Sequence, residues 1–463
     1  MYQVDFNKPV NIHFIGIGGI SMSGLAEILL DRDFTISGSD RARTDLTAHL
    51  ENKGALIFYG QKAENIPENC DVVVYTAAIH PDNPEFEAAV NRKLPLLTRA
   101  ELLGELMNNY KYSIAVSGTH GKTTTTSMIS HVLMAASDDP TISVGGILPA
   151  INGNIRIGAS QYFLTEACEY TNSFLSLRPY VGIILNVEPD HLDFFKNIEN
   201  IRASFKKFAN LISANGALVI NADIDHVEDI CDGLKCKVYT YSIKNSADYT
   251  ATDIKFDEYA HPSFTALYKG NEIGRFSLKV PGEHNISNAL ACIAASQVFG
   301  IDYEHISSGL SSFTGTDRRF QVKGNINGAT LIDDYAHHPT EIRATLTAAR
   351  NYPHKKIICI FQPHTYSRTV AFLDEFAKAL CLADEVILAD IYSAREQNTF
   401  GVSSGDIASR ICALGTPSEF IPTFDEIEKT VLPKLEEGDV LITMGAGDVY
   451  KIGDHLLEET QNV

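Results

Sequence analysis

The sequence predicts an α/β protein of three domains, and three observations carry that expectation. Three times along the chain an apolar, β-rich run passes through a glycine-rich or polar turn into an amphipathic helical pattern, the alternation of parallel sheets with covering helices. A length of 463 residues favours about three domains rather than one. With 44% hydrophobic and 21% charged residues, each domain has the material for its own core.

The first block, 1–108, opens with the strand VNIHFIGI and a helix from about Ser21 to Leu30, then runs through strands FTISGSD and DVVVYTAAI to the helix AELLGELMNN. The second, 109–320, opens with the strand YSIAVSG and the helix KTTTTSMISHVLMAA. Within it TALYKGNEIGRFSLKVPG predicts a hairpin, because two alternating runs flank Lys269, Gly270 and Asn271. The third, 321–463, contains strands IICIF, EVILAD and VLITMG. No short-period repeat or low-complexity segment interrupts them.

A formal net charge of -20 argues against nucleic acid or an anionic membrane as a partner, since both would be repelled over most of the surface. Any phosphate site must be local. The eight cysteines show neither paired metal spacing nor a secreted framework, which fits a reducing compartment. MYQVDFNKPV lacks a basic segment followed by an apolar stretch, and no apolar run approaches the roughly 18 residues that span a bilayer. The expectation is a cytoplasmic protein, monomer or dimer.

The strongest local signal is SGTHGKTTT, Ser117 to Thr125, between an apolar strand and a helix. Glycines let backbone N–H groups approach a triphosphate, Lys122 supplies a compact positive charge, and the Thr123 hydroxyl can reach magnesium at a helix N-terminus. The strict Walker spacing wants glycine where Val116 stands, so this is a shorter variant. The N-terminal GIGGISMSG, Gly16 to Gly24, lies at the first strand-to-helix turn, where doubly wound folds hold diphosphates, and Asp40 ends the next strand as a ribose-binding carboxylate does. Ser21 replaces the third glycine of GxGxxG, and a tight packing turn would use the same residues. Two phosphate sites in one chain fit group transfer or ligation better than a dehydrogenase.

Glu166 ends the strand QYFLTE and is followed by Glu169, while His191 lies in NVEPDHLDF just past VGIILN. Carboxylate and imidazole at strand ends beside a phosphate loop suit a divalent cation or the bracing of its ligands; surface or hydrogen-bonded groups are the alternative. PGEHNISNALACIAA sets His284, Asn285 and Asn288 at a helix start, for base recognition or for capping. TDRRF brings Arg318 and Arg319 to a domain boundary, where an arginine completes a nucleotide site or stays solvated. Tyr335, His337, His338, His364 and Arg368 sit at ends of apolar strands in DDYAHHPTEI and FQPHTYSRT, where clustered His and Arg suit a carboxylate.

In order along nearly the whole chain, GIGGISMSG, TAAIHPDNPE, RAELLGELM, SGTHGKTTT, EACEYTNSFL, NVEPDHLDF, GEHNISNALA, DRRF, DDYAHHPTEI, FQPHTYSRT and TMGAGD resemble the Mur ligase family. The resemblance implies an N-terminal Rossmann-like domain for a UDP-sugar, a central P-loop ATPase-type domain, and a C-terminal Rossmann-like domain that brings the amino acid. It implies ATP- and magnesium-dependent ligation of L-alanine to the lactyl carboxylate of UDP-N-acetylmuramate through an acyl phosphate, giving an amide, ADP and phosphate.

By position, the resemblance assigns Gly118, Thr119, His120, Gly121, Lys122, Thr123 and Thr124 to the ATP phosphates, and Thr123, Glu166 and His191 to magnesium. It sets Asn285 and Asn288 near adenine and Arg319 near the phosphates. Gly16, Gly18, Gly19, Ser21, Ser23 and Gly24 face the UDP diphosphate; Tyr335, His337 and Arg368 line the acceptor site. Two departures stand out. EACEYTNSFL replaces an EADESD-type segment, which opens the choice between Glu166 and Glu169, and Thr365 stands where many members have arginine. Lys206 or Lys207 falls where several relatives carbamylate a lysine.

Two rival readings remain. One is a recycling ligase that attaches a whole murein peptide to the same nucleotide sugar, against which the GIGGISMSG turn weighs. The other is a dinucleotide oxidoreductase or nucleotide sensor with a regulatory phosphate loop, which leaves the ordered C-terminal motifs without a role.

Overall fold

Strand Asn11–Ile15 is the centre of a five-stranded parallel sheet in the order Leu56–Tyr59, Thr35–Asp40, Asn11–Ile15, Val72–Tyr75, Leu96–Thr98. Four of its five residues are buried, as a strand covered on both faces requires. The chain first leaves it toward Thr35–Asp40 and later returns on the other side with Val72–Tyr75, so the turn after Ile15 lies at the switch point where doubly wound sheets bind ligands. The computed structural model describes residues 2–461. They form two compact units: one runs up to Val187 and adds Glu199–Thr240 and Ala295–Gly300; the other comprises Glu188–Ile198, Tyr241–Ala294 and the chain from Ile301.

The first unit also holds parallel strands in the order Ala217–Asn221, Val181–Ile184, Tyr112–Ser117, Tyr162–Glu166, Thr141–Leu148, with Gly153–Arg156 antiparallel at the edge. Ile114, Val116, Phe163, Leu164 and Ile183 fill the space around the middle strand. Helix Lys122–Ala135 packs with an unusually polar buried face, in which Thr125, Thr126, Ser127 and Ser130 are fully buried. Ser127 and Ser130 resolve this by donating to the carbonyls of Thr123 and Thr126, one turn back.

In the second unit a sheet runs Gln321–Ile326, Ala329–Asp334, Val440–Met444, Ile357–Phe361, Glu385–Leu388, Ser418–Phe420, parallel except for its first pair. Its central strands IICIF and VLITM are wholly buried and divide their side chains between two cores, one around Phe361 and Phe376, the other around Ile360 and Leu441. The expected hairpin pairs Pro262–Tyr268 with Asn271–Ser277, and its tip uses positive φ at Lys269 and Gly270, the twist that a two-residue turn needs. Among the described residues no helix is long and apolar enough to cross a membrane.

Candidate functional site

The phosphate loop follows strand Tyr112–Ser117 directly. Gly118 (φ 143°) and Gly121 (φ 79°) take conformations that side chains disfavour, and a Cβ at Gly118 would stand 2.9 Å from Leu185. Gly121 caps helix Lys122–Ala135 without any side-chain acceptor, which leaves the first-turn N–H groups directed at the loop. Asn186 fixes the loop: its Oδ1 accepts from the His120 N–H at 2.7 Å, its Nδ2 donates to the His120 carbonyl, and the Thr119 N–H donates to its carbonyl. Thr123 is buried, with Gly146 facing its methyl, and Thr124 is half-buried in the first turn.

Lys122 differs from the expected open loop lysine. Its Nζ donates to the carbonyls of Gly118 and Thr119 and pairs with buried Glu169 at 3.0 Å. Burial opposes its charge, but the Glu169 carboxylate outweighs that and holds the ammonium above its usual pKa.

Glu166 is positioned by the register that sets it beside Val116, and it accepts the Gly145 N–H at 2.6 Å. A Cβ at Gly145 would meet its carboxylate oxygens at 2.8 and 2.9 Å, so a side chain there would displace the carboxylate. Glu166 lines a pocket of about 320 Å³ with Ser21, Arg99, Ser143, Asn154 and Cys168. The two carboxylates thus separate: Glu169 neutralises Lys122, and Glu166 faces a cavity. Arg99 and Gly145 escaped the sequence reading. The only trace was Arg99 at the head of RAELLGELM, where it donates to the Ser21 hydroxyl at 3.0 Å.

At the N-terminal glycine turn, Gly16 (φ 83°) is left-handed and Gly19 caps helix Ile20–Leu30. Asp40, expected to face a ribose, accepts the Gly18 N–H at 2.8 Å and its neighbour's N–H instead, closing the turn. A Cβ on Gly24 would lie 2.2 Å from Ile155, so this glycine permits close packing of the helix, and the Ser23 hydroxyl is bonded back to the Ile20 carbonyl. Gly16, Gly18, Gly19 and Ser21 therefore carry the open part of the motif.

The second unit gathers the C-terminal candidates. Arg368, 9% exposed, donates from Nε and Nη2 to one oxygen of Asp190, Oδ1, at 3.2 and 2.9 Å. Its Nη1 lies 3.1 Å from His364 Nδ1. Asp190 and the adjacent His191, which takes a left-handed φ of 51°, come from the segment Glu188–Ile198. Burial pushes the Asp190 carboxyl up, but Arg368 and the histidines around it hold it below the usual carboxylate range. His337 lies beside this pair: its Nδ1 faces the Tyr335 carbonyl at 3.0 Å, so Nδ1 carries the proton, and burial pushes the imidazole down to about 3. His364 is pushed down to about 4, also by burial.

The other candidates in this unit also have partners within it. His338 caps helix Pro339–Arg350, accepting from the Thr340 N–H, and donates from Nε2 to the Pro189 carbonyl. Arg318 is held by Asp333 and by the carbonyls of Gly445 and Gly447. Arg319 lies over Tyr335 and 3.7 Å from Glu341. Asn285 donates to the Pro281 carbonyl, and Asn288 donates to Asn285, both amides being buried. Lys206 is half-buried and Lys207 exposed on helix Ile198–Ala209.

Family models match the chain in three stretches: "Mur ligase family, catalytic domain" over residues 11–111, "Mur ligase middle domain" over 116–296, and "Mur ligase, glutamate ligase domain" over 318–447. A UDP-N-acetylmuramate–L-alanine ligase of Agathobacter rectalis is 59% identical over 459 residues, covering 99% of this chain and all of the relative. The chain belongs to the Mur ligase family. A second Mur ligase of the same name, from Lachnospira eligens, is 55% identical over an equal span. Among solved Mur ligases, the UDP-N-acetylmuramate-alanine ligase of Thermotoga maritima superposes with a TM-score of 0.81 at 32% identity, covering 98% of this chain and 99% of that one. A murein peptide ligase of Psychrobacter arcticus gives 0.70 at 25% identity.

Proposed function

We propose that this Mur ligase joins L-alanine to the lactyl carboxylate of UDP-N-acetylmuramate in the cytoplasm, for peptidoglycan synthesis. The end-to-end likeness to ligases of that name carries the reading. In the proposed reaction the lactyl carboxylate attacks the γ-phosphate of ATP, ADP leaves, and the alanine amine displaces phosphate from the acyl phosphate to form the amide. The proposed division of labour is a UDP-sugar domain at 1–108, an ATP domain at 109–320 and an acceptor domain at 321–463.

Gly118 to Thr124 would hold the ATP phosphates, since the loop presents backbone N–H groups at a helix start. Asn285 and Asn288 would lie near adenine and Arg319 near the phosphates. The open glycines and Ser21 would face the UDP diphosphate. Thr123 and Glu166 offer the hard oxygen donors that magnesium takes, with His191 as a further ligand or brace. Magnesium, when bound, supplies positive charge at the transferring phosphoryl group. Lys122 adds to that charge, and needs to leave Glu169 or share itself between the two anions. Tyr335, His337 and Arg368 would line the acceptor site; a neutral His337 accepts a hydrogen bond from the amine at Nε2.

Purified protein with ATP, magnesium and UDP-N-acetylmuramate should release ADP in step with added L-alanine. ADP release with murein tripeptide but not alanine would replace this reading with that of a peptide-recycling ligase.

A further inference from the structure

The Asp190–Arg368 pair uses only half of its carboxylate. Oδ1 accepts from Arg368 Nε and Nη2 and from the His191 N–H. Oδ2 accepts no hydrogen bond from any described residue; His191 Nε2 lies 3.7 Å from it. Yet the Asp190 side chain is only 9% exposed. An oxygen that still reaches solvent on a side chain this buried keeps only part of its hydration and is open to a donor that arrives from the same side.

The neighbours define that donor. Nδ1 of His337 is committed to the Tyr335 carbonyl, which leaves Nε2 as an acceptor in the neutral ring. Asp190 and His337 therefore both offer acceptors, while Arg368 offers N–H groups from the same cluster. A free α-amino acid matches this order of charges: its ammonium and carboxylate are separated by one carbon, as Asp190 and Arg368 are separated by one hydrogen-bonded contact.

We propose that Asp190 is a specificity-determining residue that receives the amino group of the acceptor, so that Asp190 and Arg368 together read a zwitterion. The inference rests on the amino-acid ligation reading above and adds the residue that recognises the amine. It also accounts for a single arginine sufficing beside neutral Thr365: the acceptor binds to a charge pair, with one group for each of its ends.

The test compares L-alanine with L-alaninamide, which keeps the amine and lacks the carboxylate, in wild type and in Asp190→Asn. The pair reading predicts that Asp190→Asn raises the KM of both acceptors by ~10- to 100-fold, the loss of one charge-assisted hydrogen bond, with the KM for ATP and nucleotide sugar little changed. Arg368→Lys should penalise L-alanine more than alaninamide. If Asp190 only positions Arg368, Asp190→Asn raises the alanine KM and spares alaninamide, and the inference is overturned; an unchanged KM for both overturns it equally. Should Asp190→Asn not fold, the same comparison on Asp190→Glu applies, where the displaced carboxylate must again raise both constants. A wild type that forms no amide from either acceptor would instead defeat the ligation reading itself.

Discussion

Two ion pairs in this molecule look alike and behave differently. In the first unit, Lys122 is satisfied on every side, by Glu169 and by two carbonyls of its own loop. In the second, Arg368 holds Asp190 by Oδ1 alone, and Oδ2 accepts no hydrogen bond from any described residue. The contrast separates two ways of keeping a charge near a reaction. A closed pair holds its cation in reserve and must be opened by a more highly charged anion, as a triphosphate is. On the proposed reading, the open pair has the polarity of its ligand and is completed by it.

The largest effect should follow from removing the reserved cation. Lys122→Ala is expected to lower kcat by ~1,000-fold, the scale of losing a preorganised charge at a transferring group. Because buried Glu169 then loses its lysine, denaturant unfolding should also show a loss of ~2 kcal/mol. Lys122→Ala combined with Glu169→Gln should regain much of that stability and none of the turnover. Near-normal turnover in the single variant would break the comparison at its first member.

A smaller effect tests whether the cavity carboxylate is separate from the closed pair. Gly145→Ala places a methyl group against the Glu166 carboxylate, the movable end of a side chain, so the fold should tolerate it. The magnesium needed for half activity should rise ~10-fold, as for a displaced ligand, and Glu166→Ala and His191→Ala should act in the same direction. A larger magnesium effect from Glu169→Ala would exchange the roles of the two carboxylates.

The effect that vanishes at neutral pH concerns the open pair's neighbour. His337 titrates near 6.5 when unfolded and is pushed down to about 3 by burial, so the folded state binds fewer protons between those values. Stability is therefore intact above pH 6.5 and falls as the pH drops toward 3. His337→Gln should flatten that fall by ~3 kcal/mol at pH 4, measured by denaturant titration at each pH. An unchanged slope would mean that His337 is not held neutral.

The difference between the pairs also decided what could be read in the sequence. The phosphate loop was legible because strand, glycines, lysine and helix lie within a few consecutive residues, and the sheets were legible because buried parallel strands are continuous apolar runs. Glu169 was visible as a rival metal ligand but not as the partner of Lys122, since nothing local says which of two nearby carboxylates turns toward the loop. Asp190 lies in NVEPDHLDF with no local sign of a role, because its partner is 178 residues away and only the fold joins them. His338 carries a second, structural signal. In a cluster of histidines it reads as a ligand-binding group, although His-Pro-Thr-Glu spells a helix start with proline in the first position and a glutamate to close the cap.

The central claim is that the chain activates a carboxylate with ATP and passes the acyl group to the amine of L-alanine. Oxygen-18 placed in the lactyl carboxylate of UDP-N-acetylmuramate tests this most directly, with the inorganic phosphate analysed by mass after L-alanine has been joined. An acyl phosphate route predicts one labelled oxygen in each phosphate released. Unlabelled phosphate alongside amide product would contradict it.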